Sequence, residues 1–276
     1  MRTQKNDALM LNGLMLLCDF HIHSNFSDGK HSIPEIVDFY GMRGFSCIAI
    51  TDHLCETESF LGFGARVLEK TLTPETFPLY LDTIKNEAER AERVYQMKVI
   101  PGVEITKNYL TNRRSSHFIG LGITKIPNAN SPTECILRDF KREGALTIAA
   151  HPVSTNKLEI QTRHLWDQRE SLKDLFDAWE VGCGVNYFHE VAQSGLPVIA
   201  NTDLHRFTQI TGWKSKIQSE LHQEAIFEAI RNRKVEPYFY VEEQESVWKS
   251  GGKYDWFAGK MTPQKENIDY VTSFGT

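Results

Sequence analysis

The sequence predicts an α/β fold whose sheet is mostly parallel and curls into a barrel, and three observations predict it. Short apolar runs alternate with amphipathic stretches along most of the chain, which is the pattern of strand–helix units with helices outside a sheet. Seven or more such strands occur in one chain, which favours a barrel over an open sheet. The 276 residues, 41% of them hydrophobic, suit one barrel-sized core.

Leu14–His21 reads as the first strand. The apolar run Ala8–Cys18 follows Arg2 and Lys5, as in a secretory leader, but it is too short to span a bilayer and no small-residue cleavage site follows it. It also flows straight into Asp19-Phe20-His21-Ile22-His23, so it is read as a buried strand. Ser32-Ile33-Pro34-Glu35 is a capping box with proline in the first turn; it opens a helix over Ile36–Met42 that Gly44 stops. Phe45–Thr51 is the next strand.

Leu54–Leu72 has no period and contains Gly62 and Gly64, so it reads as a long loop. Thr73-Pro74 starts a helix running through Ile84, Ala88 and Ala91 to about Tyr95. Strands follow over Lys98–Thr106 and His117–Thr124, then a helix capped by Ser131-Pro132 and ending at Gly144. Ala145–Ala150 and Ala178–Gly182 are strands. A helix over Asn186–Gln193 stops at Gly195 before the strand Leu196–Thr202. A helix over His222–Asn232 and a strand over Glu236–Val241 complete the pattern. From Glu245 onward the chain is polar and glycine-containing, so the expected division is a barrel domain over 1–245 and a tail or flap over 246–276.

The net charge of −5 provides no bulk attraction to nucleic acid or anionic lipid. The five cysteines (Cys18, Cys47, Cys55, Cys135 and Cys183) are odd in number and none pair in a C-x-x-C spacing, which points away from a disulfide framework and toward a reducing, cytoplasmic compartment.

The histidines and carboxylates gather at or just beyond the predicted strand ends. His21 and His23 end the first strand, and Asp28 follows in Ser27-Asp28-Gly29. Asp52 and His53 end the second and Glu104 the third. His117 opens the fourth, His151 ends the fifth, and Asp203 and His205 end the strand that begins near Pro197. A parallel barrel brings such ends together on one face. Six of the ten histidines would then meet three or four carboxylates. Imidazole with carboxylate suits zinc, manganese or iron(II), and nine ligands are too many for one tetrahedral cation. Two or three divalent cations are expected, with Glu104 as a natural bridge. The alternation in His21-x-His23 and Asp203-x-His205 points each pair to one side of its strand.

A lone histidine after a strand is ordinarily a satisfied core or surface group, and His31, His164, His189 and His222 are read so. Asp52 alone would be a helix cap or a partner behind the ligands. For the whole set, a purely structural role would bring many polar groups together unpaired, which is costly. Glu180, ending a strand in Trp179-Glu180, stands evenly between supporting a ligand and a plain structural role. Arg113, Arg114 and Arg206 flank the cluster and are phosphate-binding candidates, against the alternative of solvated loop arginines.

The ordered series His21-x-His23, Ser27-Asp28-Gly29, Ile50-Thr51-Asp52-His53, Pro101-Gly102-Val103-Glu104, His117, His151-Pro152 and Asp203-x-His205 resembles the PHP (polymerase and histidinol phosphatase) superfamily over roughly residues 16 to 210. The resemblance implies a distorted (β/α)7 barrel with its metal site at the C-terminal ends of the strands. It implies that His21, His23, Glu104 and Asp203 hold one metal, that Glu104 bridges to a second held by His117 and His151, and that Asp28, His53 and His205 hold a third. The activity it implies is hydrolysis of a small phosphate ester, mono- or diester, such as a nucleotide, a sugar phosphate or a short oligonucleotide. The attacking group is expected to be a metal-bridging hydroxide, with His205 or Asp52 handling protons. Two other readings stand beside it. One is an amidohydrolase-type metal hydrolase, in which a lysine would usually bridge where Glu104 stands. The other is a non-catalytic, metal-stabilised domain serving nucleic-acid processing, although the chain lacks a basic stripe with aromatic interleaving.

Overall fold

The computed structural model describes residues 14–58, 64, 70–109, 114–153 and 162–242. A first compact unit ends at Glu242, so the expected tail over 246–276 lies outside the described residues, as do the start of the chain and most of the loop 54–72.

Eleven strands among the described residues form one mixed sheet. They are β1 (Leu14–Asp19), β2 (Cys47–Ile50), β3 (His53–Cys55), β4 (Lys98–Lys107), β5 (Ser116–Leu121), β6 (Leu146–Ala149), β7 (Ala178–Cys183), β8 (Asn186–Tyr187), β9 (Val198–Asn201), β10 (Gly212–Ser219) and β11 (Val235–Tyr240). Their order is β11-β10-β1-β2-β4-β5-β6-β7-β8, with β3 on β4 and β9 on β7. The sheet curls so that the segments beyond β1 and β9 meet. Ile22 bridges Leu204 in parallel, His23 N donates to Leu204 O at 2.9 Å, and Leu204 N donates to His21 O at 3.1 Å.

The parallel expectation is half met, with five pairings parallel and five antiparallel. β5 runs against both its neighbours, β4 and β6. A strand so reversed begins at the rim where the parallel strands finish, and His117 lies at its beginning.

Helix α1 (Ile33–Gly41) starts at its capping box, where the Glu35 carboxylate accepts from Ser32 N at 2.8 Å and from Ser32 Oγ at 2.7 Å. It ends before Gly44, whose φ of +74° a residue with a Cβ adopts poorly. Helices α2 (Phe77–Tyr95) and α3 (Thr133–Arg142) follow close to their expected limits. Between β6 and β7 lie two short turns of helix, α4 (His164–Asp167) and α5 (Arg169–Leu172). The helix expected over Asn186–Gln193 is corrected. Asn186 and Tyr187 fold back on β7 as β8, the turn at Gly184 having φ +56°, and only α6 (His189–Ala192) is helical. Helix α7 (Gln223–Arg231) is capped by His222, whose Nδ1 accepts from Ala225 N at 3.2 Å.

Alternation along the strands builds two cores. Cys47 and Ala49 of β2 join Leu16, Cys18, Phe20, Ile148 and Ile199 against Ile226 and Ile230 of α7. Ile48 and Ile50, on the other face, join Ile36, Tyr40 and Tyr80 from α1 and α2. A fully buried Ile stabilises the fold by about 1.5–3 kcal/mol, so these two layers hold the strand ends in register. No helix among the described residues is long and apolar enough to cross a membrane.

Candidate metal centre

The register of the sheet delivers the candidate ligands. His53 of β3 pairs with Glu104 of β4. The Ile22–Leu204 bridge sets His21 and His23 against Asp203 and His205. At two ligand positions the backbone leaves the ordinary regions, with φ +26° at His151 and +56° at Asp203. Such conformations cost about 1–3 kcal/mol each and persist where the surroundings enforce them, typically at functional sites.

All nine candidate ligands converge. Glu104 Oε1 lies 3.4 Å from His21 Nε2, 3.1 Å from His117 Nδ1 and 3.3 Å from His151 Nε2. Its Oε2 lies 2.6 Å from His53 Nδ1 and 3.7 Å from His23 Nε2. Asp203 Oδ1 lies 3.3 Å from His21 Nε2 and 3.1 Å from His23 Nε2. Asp28 Oδ1 lies 3.1 Å from His205 Nε2 and 3.5 Å from His53 Nε2. Donor atoms lie close enough to share a cation in several groups: His21, His23 and Glu104; Glu104, His117 and His151; His23, Asp28, His53 and His205; and His21, His151 and Asp203, so that Asp203 groups with His21 and His151 and not with His23 and Glu104.

These donors fit divalent cations. His21 Nε2, both ring nitrogens of His23, Asp28 Oδ1, both oxygens of Glu104 and His117 Nδ1 are buried and lack a hydrogen-bond partner. Left so, each would cost about 1–3 kcal/mol. Ligand atoms about 2.0–2.2 Å from a shared cation lie about 3 Å from one another, as these do.

The other ring nitrogens are held from behind. Glu180 Oε1 lies 3.0 Å from His21 Nδ1 and accepts from Asn201 Nδ2 at 2.9 Å, while its Oε2 accepts from His151 N at 2.7 Å. Glu180 therefore holds two candidate ligands at once. Thr162 Oγ1 meets His151 Nδ1 at 3.0 Å and Asn108 Oδ1 meets His117 Nε2 at 2.8 Å. Sequence reasoning missed both, because neither residue type at its spacing signals metal support.

Burial opposes charge throughout, and the cluster overrides it in most cases. Burial would raise the Glu104 carboxyl, but His53, His117 and His21 hold it well below the usual range. The Asp203 carboxyl is likewise low, with His21 and His205 outweighing burial. The His21 imidazole is pushed up against burial by Asp203, Glu180 and Glu104. His205 rises to about 9, with Asp203 and Asp28 overcoming burial. His23, penalised by burial and by the neighbouring His205 and His53, falls to about 3. Cations would take over this balancing of charge.

Asp52 turns its carboxylate toward Ser24 and Ser27. Its Oδ1 accepts from Ser24 N at 2.8 Å and Ser27 Oγ at 2.5 Å, and its Oδ2 from Ser24 Oγ at 2.7 Å. The turn it braces carries Asp28 and passes so near His23 that a Cβ on Gly29 would lie 2.2 Å from His23 O. Arg206 is exposed beside His205, and Arg114 is exposed with its guanidinium 4.5 Å from the Tyr109 ring centre. Arg113 lies outside the described residues. His31, His189 and His222 belong to none of the ligand groupings; His31 stacks on Phe207 and His222 caps α7.

The family model for the PHP domain matches residues 19–172, more than half of the chain. No curated protein matches the sequence. A two-domain protein from Bacteroides vulgatus, described as containing a predicted PHP-like metal-dependent phosphoesterase, superposes with a TM-score of 0.61 at 23% identity. The match covers 83% of this chain and 66% of that one, just under two thirds of its length, and it shows a shared fold. A candidate metal-dependent phosphoesterase from Bifidobacterium adolescentis matches at TM-score 0.43 and 14% identity, over 68% of this chain and 87% of that one. An amidohydrolase from Chromobacterium violaceum matches at 0.43 and 16%, over the same shares. At such scores neither adds to the fold assignment.

Proposed function

Because this chain belongs to the PHP domain family, we propose that it is a metal-dependent phosphoesterase that hydrolyses a small phosphate ester in the cytoplasm. The same reading makes its curled sheet a distorted (β/α)7 barrel, with the centre at the C-terminal strand ends. One observation carries the proposal. Glu104 is fully buried, neither of its oxygens has a hydrogen-bond partner, and five imidazoles face it. A buried carboxylate in that setting is stabilised by opposite charge or not at all.

His21, His23, Glu104 and Asp203 would hold one cation; Glu104, His117 and His151 a second; and Asp28, His53 and His205 a third. Zinc, manganese or iron(II) bound there supplies Lewis acidity that ionises water at neutral pH and offsets the phosphoryl charge. Hydrolysis joins a water oxygen to phosphorus and breaks the ester P–O bond, and the alcohol departs with a proton. The side chains of Asp28, Asp203 and His205 are 34%, 25% and 24% exposed while Glu104 is sealed, so the phosphate approaches from their side. His205 carries the proton whenever its Nε2 holds no cation. Asp52, its carboxylate occupied by Ser24 and Ser27, is assigned to holding the Asp28 turn and not to proton transfer. Arg114 and Arg206 are assigned to the substrate phosphate.

The test is elemental analysis of the purified protein, followed by a panel of phosphomonoesters, phosphodiesters and short oligonucleotides set against amides and lactones. Phosphoester turnover is expected in the metal found. The double variant His21→Ala/His23→Ala should lose metal and turnover together, by at least about 100-fold. Full turnover by that variant at unchanged metal content would sink the proposal.

A further inference from the structure

We propose that a stack of rings outside the metal centre, Phe207 between His31 and Phe39, is a clamp that sets the occupancy of the third cation position independently of the other two. The inference rests on the metal-centre reading above.

The first two positions draw on residues set at strand ends. Glu104 lies within β4 and His117 within β5, while His21 and His23 follow β1, His151 follows β6, and Asp203 follows β9 immediately before Leu204, which the bridge to Ile22 and the bond to His21 O fix in place. The third position is different. His53 lies in β3, but Asp28 and His205 lie on two separate loops, and Asp28 Oδ1 and His205 Nε2 must stay near their 3.1 Å separation. Metal–ligand distances tolerate about 0.2 Å, so relative movement of these loops would disable this position first.

Two features tie the loops together. Lys30 N donates to His205 O at 2.9 Å. The Phe207 ring lies flat between the His31 ring, 3.5 Å away at an interplanar angle of 1°, and the Phe39 ring, 3.8 Å away at 3°. Phe207 N also lies 3.4 Å from His31 Nε2 and donates to it. Phe39 belongs to α1, which anchors the stack to the core. On its other face the Arg43 guanidinium lies 3.5 Å from the ring centre, donating to the Glu242 carboxylate at 2.8 and 2.6 Å and to Phe39 O at 2.8 Å. Arg43, Phe39, Phe207 and His31 thus form one column. Phe207 is two residues beyond His205, and His31 three beyond Asp28. None of the four belongs to a ligand grouping, so they are positioning residues.

The experiment titrates the metal-free full chain with manganese, counts bound cations at each free concentration, and follows thermal unfolding of the metal-free protein. The variants are Phe207→Ala, His31→Ala and Phe207→Tyr. Wild type should bind three cations. The two alanine variants should hold the first two within about twofold and the third about tenfold or more weakly. Phe207→Tyr keeps the stacked ring and should keep the third cation. Should Phe207→Ala fail to fold, His31→Ala alone decides. Unchanged third-cation affinity in the alanine variants overturns the clamp and leaves the metal centre standing. So does equal weakening of all three cations, which would mark a general structural role, and so does a wild type that saturates at two. A wild type that binds none overturns the metal-centre reading together with the clamp.

Discussion

His151 and Asp203 are held at positive φ, and what enforces those conformations is a neighbouring carboxylate and a neighbouring strand. Glu180 accepts from His151 N while facing His21 Nδ1, and Leu204 N, directly after Asp203, is bound to His21 O. Replacing Glu180 by Gln keeps the shape and removes the charge that orients His21. We expect metal affinity to fall by about 10–100-fold with the fold intact, read by metal titration beside circular dichroism. Wild-type affinity in Glu180→Gln would reduce Glu180 to a packing residue. Protons compete with cations for the same nitrogens. In the metal-free site burial lowers these imidazoles but carboxylate neighbours outweigh it, pushing His205 up to about 9 and raising His21, His53 and His151. His205 is therefore protonated at neutral pH while no cation is bound and must release that proton on binding, and the upward shifts of the other three favour proton release in the same direction. Manganese affinity should rise steadily from about pH 6 to about pH 9, with measurable proton release, and a flat profile would contradict the assignment.

At the scale of elements, the reversal of β5 matters most. With His117 second in β5 and Glu104 in the neighbouring β4, the two meet at 3.1 Å although β5 runs the wrong way for a parallel barrel. β3, a three-residue strand whose last two residues fall in the segment expected to be loop, is what pins His53 beside Glu104. Helix α1 supports the centre only indirectly, through Tyr40, whose hydroxyl donates to Asp19 Oδ2 at 2.8 Å, and through Phe39. Its capping box can therefore be weakened separately. Ser32→Ala should cost about 1 kcal/mol, seen as a lowered Tm, with cation stoichiometry unchanged. Loss of metal in that variant would show that the start of α1 is part of the site.

Across the whole described unit, the centre joins chain segments that are remote in sequence. The candidate ligands follow or lie in β1, β3, β4, β5, β6 and β9, so cations bound there would cross-link most of the curl. Removing them with a chelator should lower Tm and restoring manganese should raise it; a ligand at 100 times its Kd adds about 2.7 kcal/mol to stability. Equal Tm values with and without metal would show that the side chains balance one another without cations. The strand β10 makes the same point for polar groups. It pairs with β1 and β11, yet it escaped the sequence reading because Lys214 and Ser215 look like surface residues. Lys214 is buried because Ile210 O accepts from its Nζ at 3.0 Å and Asp19 Oδ2 lies 3.6 Å away. These partners are set by the fold and not by spacing.

The residues themselves determined the chemistry. Imidazoles and carboxylates placed at the ends of apolar runs can be recognised from hydropathy period and residue type alone, and so can the capping box that begins α1, because each is local. Tertiary structure alone decided which of these groups share an oxygen, that Glu180 backs both His21 and His151, that Asp52 is turned toward Ser24 and Ser27, and that β10 exists. Each of these depends on strands separated by many residues lying side by side, and a local pattern carries no information about which distant carbonyl or carboxylate will arrive to satisfy a buried group.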